Sequence, residues 1–501
     1  MLDTNHPCAP EMLLDNLFAV TPSMDRTITV YRSGSKTTLS HAALMDQVLR
    51  VAVQLDALGL QAGNRIGICA ANRIEWLLLD MAALRLGLVV AGFKPGDFTA
   101  DQTLIDTYGL TVLFADTQAA GVTPFEVLSP ASGPTGPLPP RPVRQATDAA
   151  ALKFTSGSTG AAKGLAASYG SIGMSISAVQ DMFAHGRDDR LFVFLTLSLL
   201  QQRYWVYSAL LFGCDLVIST AQLALHAMRD SAPTVIMGVP AFFETLKEMI
   251  DASGATPEAA QAVTGGRVRY MWTGSAPIRE DLLRCFDDEF GLPLFEGYGM
   301  NESCIVTKNH FSAHRRGSAG QPVNGKQVWI GEDGIIRVRS ALPVAREYAF
   351  APEGASSRIF EADGVIITGD LGEIDADGYL WVKGRADDVI VLENATNILA
   401  RPIEERLMAI DGVRQVIVCG SGKPHLSAIV DITAGFDPAR VLEAVRSVPP
   451  ATPNEAIRTA IAARTPFTEE SGLLTSQGKP RRMSIEALHA LDLETLQKET
   501  L

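Results

Sequence analysis

Thr155-Ser-Gly-Ser-Thr-Gly-Ala-Ala-Lys163-Gly164 follows directly on an apolar run, Ala149 to Thr155, that reads as a buried strand. Its glycines let the backbone bend tightly, and the hydroxyls of Thr155, Ser156, Ser158 and Thr159 add donors to the N–H groups such a turn exposes. A strand entering a turn with Gly157 and Gly160 at its centre cradles phosphate oxygens, and Lys163 adds a point charge. It is not a Walker A loop, because the lysine does not follow a glycine directly. By composition alone, a flexible surface turn is an equally good reading.

Working outward, helical and strand patterns alternate. Leu44, Val48, Val51, Leu55 and Leu58 share one helix face, with Gly59 as the stop. A buried strand, Arg65 to Ala70, and a helix, Trp76 to Leu86, follow it. On the far side of the turn Phe192 to Leu197, Leu216 to Ser219 and Thr234 to Val239 read as further strands. This alternation predicts a parallel α/β sheet with helices on its faces. Six prolines between Ser129 and Arg144 mark an exposed connector. From Gly331 to Lys383 short strands with turns predict a small antiparallel β region. The last part carries strands at Gln415 to Cys419 and His425 to Asp431 and a helix near Pro438 to Ser447. The expected fold is therefore α/β: a large N-terminal domain, 1–384, of parallel and mixed sheets with flanking helices plus the small β region. A small α+β C-terminal domain, 385–501, follows it.

The chain has 501 residues, with 43 Lys and Arg against 56 Asp and Glu and a net charge of −13, which argues against a nucleic-acid partner. Its 47% hydrophobic and 20% charged residues are those of a globular chain, not a disordered one. Six scattered cysteines without a C-x-x-C fit free thiols in a reducing compartment. With no long apolar run and no signal-like start, the expectation is a cytoplasmic protein without a transmembrane segment. Two near-misses carry nothing further. Gly320-x4-Gly325-Lys326 has Gln327 where a Mg²⁺-binding hydroxyl belongs, and His310 with His314 lacks the glutamate of a zinc helix.

More motifs stand in order along the chain: Gly274-Ser-Ala-Pro277, Glu296-Gly-Tyr298-Gly-Met-Asn-Glu302, Thr368-Gly-Asp370, Asp377-Gly-Tyr379, Gly384-Arg385-Ala-Asp387-Asp388 and Leu473-Leu-Thr-Ser-Gln-Gly-Lys479-Pro-Arg-Arg482. Together with the 155–164 turn they resemble the signature motifs of the adenylate-forming superfamily: acyl-CoA synthetases, adenylation domains and luciferases. Arg385 to Ile398, Pro466 to Thr475 and Gln202 to Tyr207 resemble its long-chain acyl-CoA synthetase and carboxylic-acid-reductase branch. No carrier or reductase domain follows Arg482, which points to a stand-alone ligase.

The resemblance implies that a carboxylic acid reacts with ATP to give an acyl-adenylate and pyrophosphate, and that a thiol of CoA or of a phosphopantetheine then captures the acyl group. It implies that Thr155 to Gly160 and Lys163 hold phosphates and that Glu302 binds Mg²⁺. Tyr298 would stack on adenine near Gly274, Ser275, Ala276, Gly299 and Asn301. Asp370 would take the ribose hydroxyls with Arg385 close by, Lys479 would bridge the carboxylate and the α-phosphate, and Asp387 would be the hinge of a mobile C-terminal domain. Pocket walls come by the same resemblance from 199–207, 238–244, 272–276 and 299–304. Trp272, Met300, Phe242 and Leu199 there favour a fatty or other apolar acid. Asn301, Leu199, Ala162 and Ala395 depart from the residues usual at their positions: threonine, histidine or an aromatic, proline, and glycine. A carrier protein as acceptor, amide formation, or an inactive nucleotide-binding homologue remain open readings.

Overall fold

The structure is a computed structural model, and it describes residues 9–117, 119–133, 136–155, 162–276, 278–475, 478 and 480–500. Two large sheets face each other. The first has six strands in the spatial order Val122–Pro124, Val112–Ala115, Arg65–Cys69, Val89–Phe93, Ala149–Thr155, Lys163–Ser168. All its pairs are parallel except the last. The second has nine strands, with a parallel centre built from Thr27–Arg32, Asp215–Ile218, Arg190–Val193, Val235–Gly238, Tyr270–Thr273 and Leu294–Met300. Antiparallel strands close both of its edges.

Ile66, Ile68 and Val90 of the first sheet share one buried core with Ile28, Leu191, Val193 and Leu216 of the second. Helices Ile74–Leu86 and Leu200–Phe212 fill the space between. Ten residues of each are buried, so neither shows the single apolar stripe of a surface helix. A buried ion pair joins the two helices: Arg203 Nη1 donates to Asp80 Oδ1 at 2.9 Å, and the Tyr207 hydroxyl donates to Asp80 Oδ2 at 2.6 Å.

The expected antiparallel region is a four-stranded sheet of Lys326–Ile330, Ile335–Ser340, Val365–Ile374 and Leu380–Arg385. Beyond it come the pair Val389–Val391 and Asn397–Leu399, and a three-stranded sheet of Val413–Cys419, Leu426–Ile432 and Ile457–Ala462. Helices Ala400–Met408, Pro438–Ser447 and Arg482–Thr500 belong to the same region. The chain thus has the expected α/β fold with a smaller α+β C-terminal part.

Two local expectations are corrected. Leu58 is 59% exposed, because the helix His41–Ala57 ends one residue before it and turns it outward. The strand expected over 192–197 is Arg190–Val193. After it the chain leaves the ladder, and the Asn72 side chain donates to Leu195 O and accepts from Leu197 N. The five described cysteines are free and buried. No described helix is long and apolar enough to cross a membrane.

Candidate active site

The strand Ala149–Thr155 delivers the chain to the glycine-rich turn, whose residues Ser156, Gly157, Ser158, Thr159 and Gly160 lie outside the described residues. The flanks of the turn are anchored. Phe154 stacks on Phe93 with centroids 4.9 Å apart and meets Tyr108 at 4.7 Å, and the Tyr108 hydroxyl donates to Ala162 O at 3.3 Å. Asn301 Nδ2 reaches Phe154 O at 3.5 Å. Gly164 exchanges two 2.8 Å backbone bonds with Ala349. A Cβ at Gly164 would come within 3.1 Å of Phe350, so glycine permits this close pairing.

That pairing sets Tyr348 beside the turn. Its hydroxyl donates to Glu302 Oε1 at 2.5 Å, and the Lys163 ammonium lies 5.1 Å from the centre of its ring. Burial, and next the Glu302 charge, push the Tyr348 hydroxyl well above its ordinary pKa, so it stays a donor. Glu302 itself is buried. It sits in the tight hairpin between Leu294–Met300 and Cys304–Lys308, which closes only because position 299 is glycine: a Cβ there would lie 2.3 Å from Cys304 O. Cys304 takes a left-handed φ of 60° to complete the turn.

Tyr298 and Asp370 form the second cluster. The Tyr298 hydroxyl donates to Asp370 Oδ2 at 2.5 Å, while Arg385 Nη1 lies 3.4 Å from Oδ1. Arg385, paired in register with Asp370, also donates through Nε to Asp387 at 2.9 Å. Burial disfavours its charge, but the Asp387 and Asp370 carboxylates outweigh burial and keep the guanidinium ionised. Burial and the Asp370 charge raise the Tyr298 hydroxyl far above its usual range.

Between these clusters and the helices Tyr169–Phe183 and Leu200–Phe212 opens a recess enclosing about 740 Å³, part of it open to solvent. It lies at the carboxyl ends of Val235–Gly238 and Tyr270–Thr273, where parallel sheets place ligands. Gly274, Ser275, Gly297, Tyr298 and Gly299 line its mouth, and Ile176, Val179, Tyr204, Trp205, Met237 and Trp272 its body. A Cβ at Gly274 would stand 3.3 Å from Gly297 O, so the two glycines leave a flat backbone floor at the mouth that suits a planar base. Among the described residues, no Asp, Glu, Lys, Arg or His lines the recess.

All four expected wall segments contribute, and their charged members turn away. Arg203 faces Asp80, Glu302 faces Tyr348, and Glu244 is not in the lining. Trp272 lines the recess. Phe242 stands one layer behind it, against Phe194 and the Gly238 backbone. Met300 and Leu199 are half-buried outside the lining, Leu199 as the residue preceding helix Leu200–Phe212. Ala276 is half-buried in the same turn as Ser275. Lys479 lies outside the described residues; the loop ends on either side of it pair at Leu474 and Pro480, and Glu469 just before that loop pairs with Lys94.

Sequence reasoning missed Tyr348, which nothing local marks. It also missed Ser175, Ile176 and Val179, for which the apolar spacing Ile172, Ile176, Val179, Phe183 was an available signal.

Comparison with known proteins gives a consistent picture. A family model described as AMP-binding enzyme matches residues 18–336, and one for an AMP-binding enzyme C-terminal domain matches 387–458. The chain is 27% identical to the long-chain-fatty-acid–CoA ligase FadD15 of Mycobacterium bovis, over 92% of this chain and 93% of that one. It is 28% identical to a feruloyl-CoA synthase of an Amycolatopsis species, over 79% and 83%. The solved structure of ATP-bound MatB from Rhodopseudomonas palustris superposes with a TM-score of 0.80 at 24% identity, covering 96% of this chain and 99% of that chain.

Proposed function

The chain belongs to the AMP-binding enzyme family, and on that premise we propose that its uncharged recess receives a fatty or other apolar carboxylic acid. It is an acid–thiol ligase: the acid is activated with ATP as an acyl-adenylate, pyrophosphate leaves, and the acyl group passes to the thiol of CoA. The observation that carries the substrate reading is the recess itself, which joins a largely apolar body, with no charged lining residue among the described residues, to a mouth bounded by Tyr298 and the glycine floor. A charged tail would be desolvated there without a partner, at a cost of several kcal/mol.

A carboxylate attacking a phosphate meets repulsion on both sides, so the residues have mostly positioning and charge neutralisation to do. Thr155 to Gly160 offer backbone and hydroxyl donors to the phosphates, and Lys163 its charge. Glu302 is a hard oxygen donor, and no group of three or more His, Cys, Asp or Glu that could hold a metal stands among the described residues. Glu302 would be the residue that holds a Mg²⁺, a cation that prefers oxygen donors. When bound, Mg²⁺ supplies charge neutralisation on the phosphates. Tyr348 fixes the Glu302 carboxylate. Asp370, held by Tyr298 and Arg385, keeps lone pairs for the two ribose hydroxyls.

Lys479 supplies positive charge where the carboxylate meets the α-phosphate. Gly384–Arg385 divides the large domain, 1–384, from the small one, 385–501, and rotation about Asp387 removes Lys479 once the adenylate has formed. The test is carboxylate-dependent ATP–pyrophosphate exchange across fatty, aryl and amino acids, with Lys479→Ala as the control. Exchange with acids of apolar body that the substitution abolishes supports the reading; exchange with amino acids alone overturns it.

A further inference from the structure

We propose that the acyl recess continues past Ser175 and Ile305 into a second chamber, where the Lys326 ammonium receives a hydrogen-bond acceptor at the far end of the acid. This inference rests on the reading of the chain as an acid-activating ligase. It narrows the substrates to acids with an apolar body and a polar, acceptor-bearing terminus, most simply a second carboxylate.

The second chamber is a small recess of about 270 Å³, part of it open to solvent, between helix Tyr169–Phe183 and the segments around Val323–Lys326 and Ser340–Leu342. Ser175 and Ile305 line both spaces, so the two chambers meet at these side chains. Among the described residues the first chamber has no charged lining residue, whereas the second has one, Lys326. Its Nζ donates to Ser303 O at 2.8 Å and to Ser340 Oγ at 2.5 Å. An ammonium has three donors, so one is left over. No carboxylate lies within ion-pair distance of Lys326 among the described residues. Burial pulls its pKa down to about 8, and repulsion from Lys153 acts in the same direction. Lys153 is itself 4% exposed.

A half-buried ammonium with a spare donor and no counter-charge is an expensive arrangement if the chamber holds only hydrocarbon. An unbranched alkyl tail pushed past Ile305 would desolvate the ammonium and give nothing back. An acid whose far end carries a carboxylate, carbonyl or hydroxyl oxygen would meet the spare donor and offset the desolvation. The uncharged first chamber requires the body of that acid to be apolar.

The experiment is ATP–pyrophosphate exchange with saturated monoacids from butanoic to hexadecanoic acid, with ω-hydroxy acids and α,ω-diacids of the same lengths, on the wild-type protein and on Lys326→Met and Lys326→Arg. Among acids long enough to pass Ile305, the wild type is expected to favour those with a terminal acceptor over the plain acid by about 10- to 100-fold in kcat/KM, the worth of a hydrogen bond to a charged group. Lys326→Met should collapse that ratio and Lys326→Arg should retain most of it. Wild-type activity on monoacids of every length with no preference for a terminal acceptor overturns the inference and leaves the ligase reading standing. A preference that survives in Lys326→Met also overturns it. Absence of exchange with every acid overturns the ligase reading instead. A wild-type ranking without the preference overturns the inference with no variant at all, and where Lys326→Met does not fold, Lys326→Leu serves as the second charge-removing variant.

Discussion

The Tyr348 hydroxyl donates to Glu302 Oε1 at 2.5 Å while the Lys163 ammonium lies over the ring of the same tyrosine. One side chain therefore aims the carboxylate read as the Mg²⁺ ligand and packs against the lysine read as a phosphate contact. Tyr348→Phe keeps the ring and its contact with Lys163 and removes only the hydroxyl. The expected result is a loss of about 10- to 100-fold in ATP–pyrophosphate exchange, the worth of one hydrogen bond to a charged group. The loss should be largest at limiting Mg²⁺, with thermal unfolding little changed. Equal activity at every Mg²⁺ concentration would remove Tyr348 from the site.

Asp80 and Arg203 test how the two sheets are held together. Their side chains are 3% and 1% exposed, and Arg203 Nε and Nη2 already lack partners. Asp80→Ala leaves a buried guanidinium uncompensated, and urea unfolding should show a loss of about 3–5 kcal/mol. The double change Asp80→Leu with Arg203→Met should recover most of it, because the pair is then replaced by packing.

Glu296 gives stability a pH dependence of known sign. Burial, against the pull of Arg401 and Lys308, pushes its carboxyl up to about 7. The folded chain then holds this proton more tightly than the unfolded chain does, so its contribution is full below about pH 4.3 and is lost as pH rises towards 7. Glu296→Gln removes the penalty. Relative to wild type, it should gain about 1–3 kcal/mol between pH 5 and pH 8 in urea unfolding. Parallel stability curves would contradict this.

Ala395 adopts a left-handed φ of 61° in the turn that closes on Leu392. A Cβ in that region costs about 1–2 kcal/mol, part of which is offset by the greater freedom of an unfolded glycine. Ala395→Gly should therefore stabilise the C-terminal part by about 0.5–1 kcal/mol, read as a raised midpoint in its unfolding.

Local patterns explain what could be read before the fold was known. The strand Ala149–Thr155 and the helix Pro438–Ser447 fall where period and punctuation put them, because both signals are carried by neighbours in sequence. The end of the strand after Val193 could not be read this way. Its ladder is replaced by bonds from Asn72, which is remote in sequence, and no local period reports that competition. Tyr348 was invisible for the same reason: it reaches Glu302 only because Ala349 pairs with Gly164 across the sheet edge. Arg203 shows the converse. Its segment, expected among the pocket walls, contributes Gln201, Tyr204 and Trp205 to the lining of the recess, but helical rotation turns the guanidinium to Asp80.

The most direct test of the account is a quench experiment on the chain with ATP, Mg²⁺ and a long-chain acid carrying a terminal carboxylate, followed by mass spectrometry. An acyl-adenylate should accumulate when CoA is withheld and convert to the acyl-CoA thioester when CoA is added. Lys479→Ala should slow the first step by about 10²–10³. Hydrolysis of ATP without any acyl-adenylate, or accumulation undiminished in Lys479→Ala, would contradict the account at its centre.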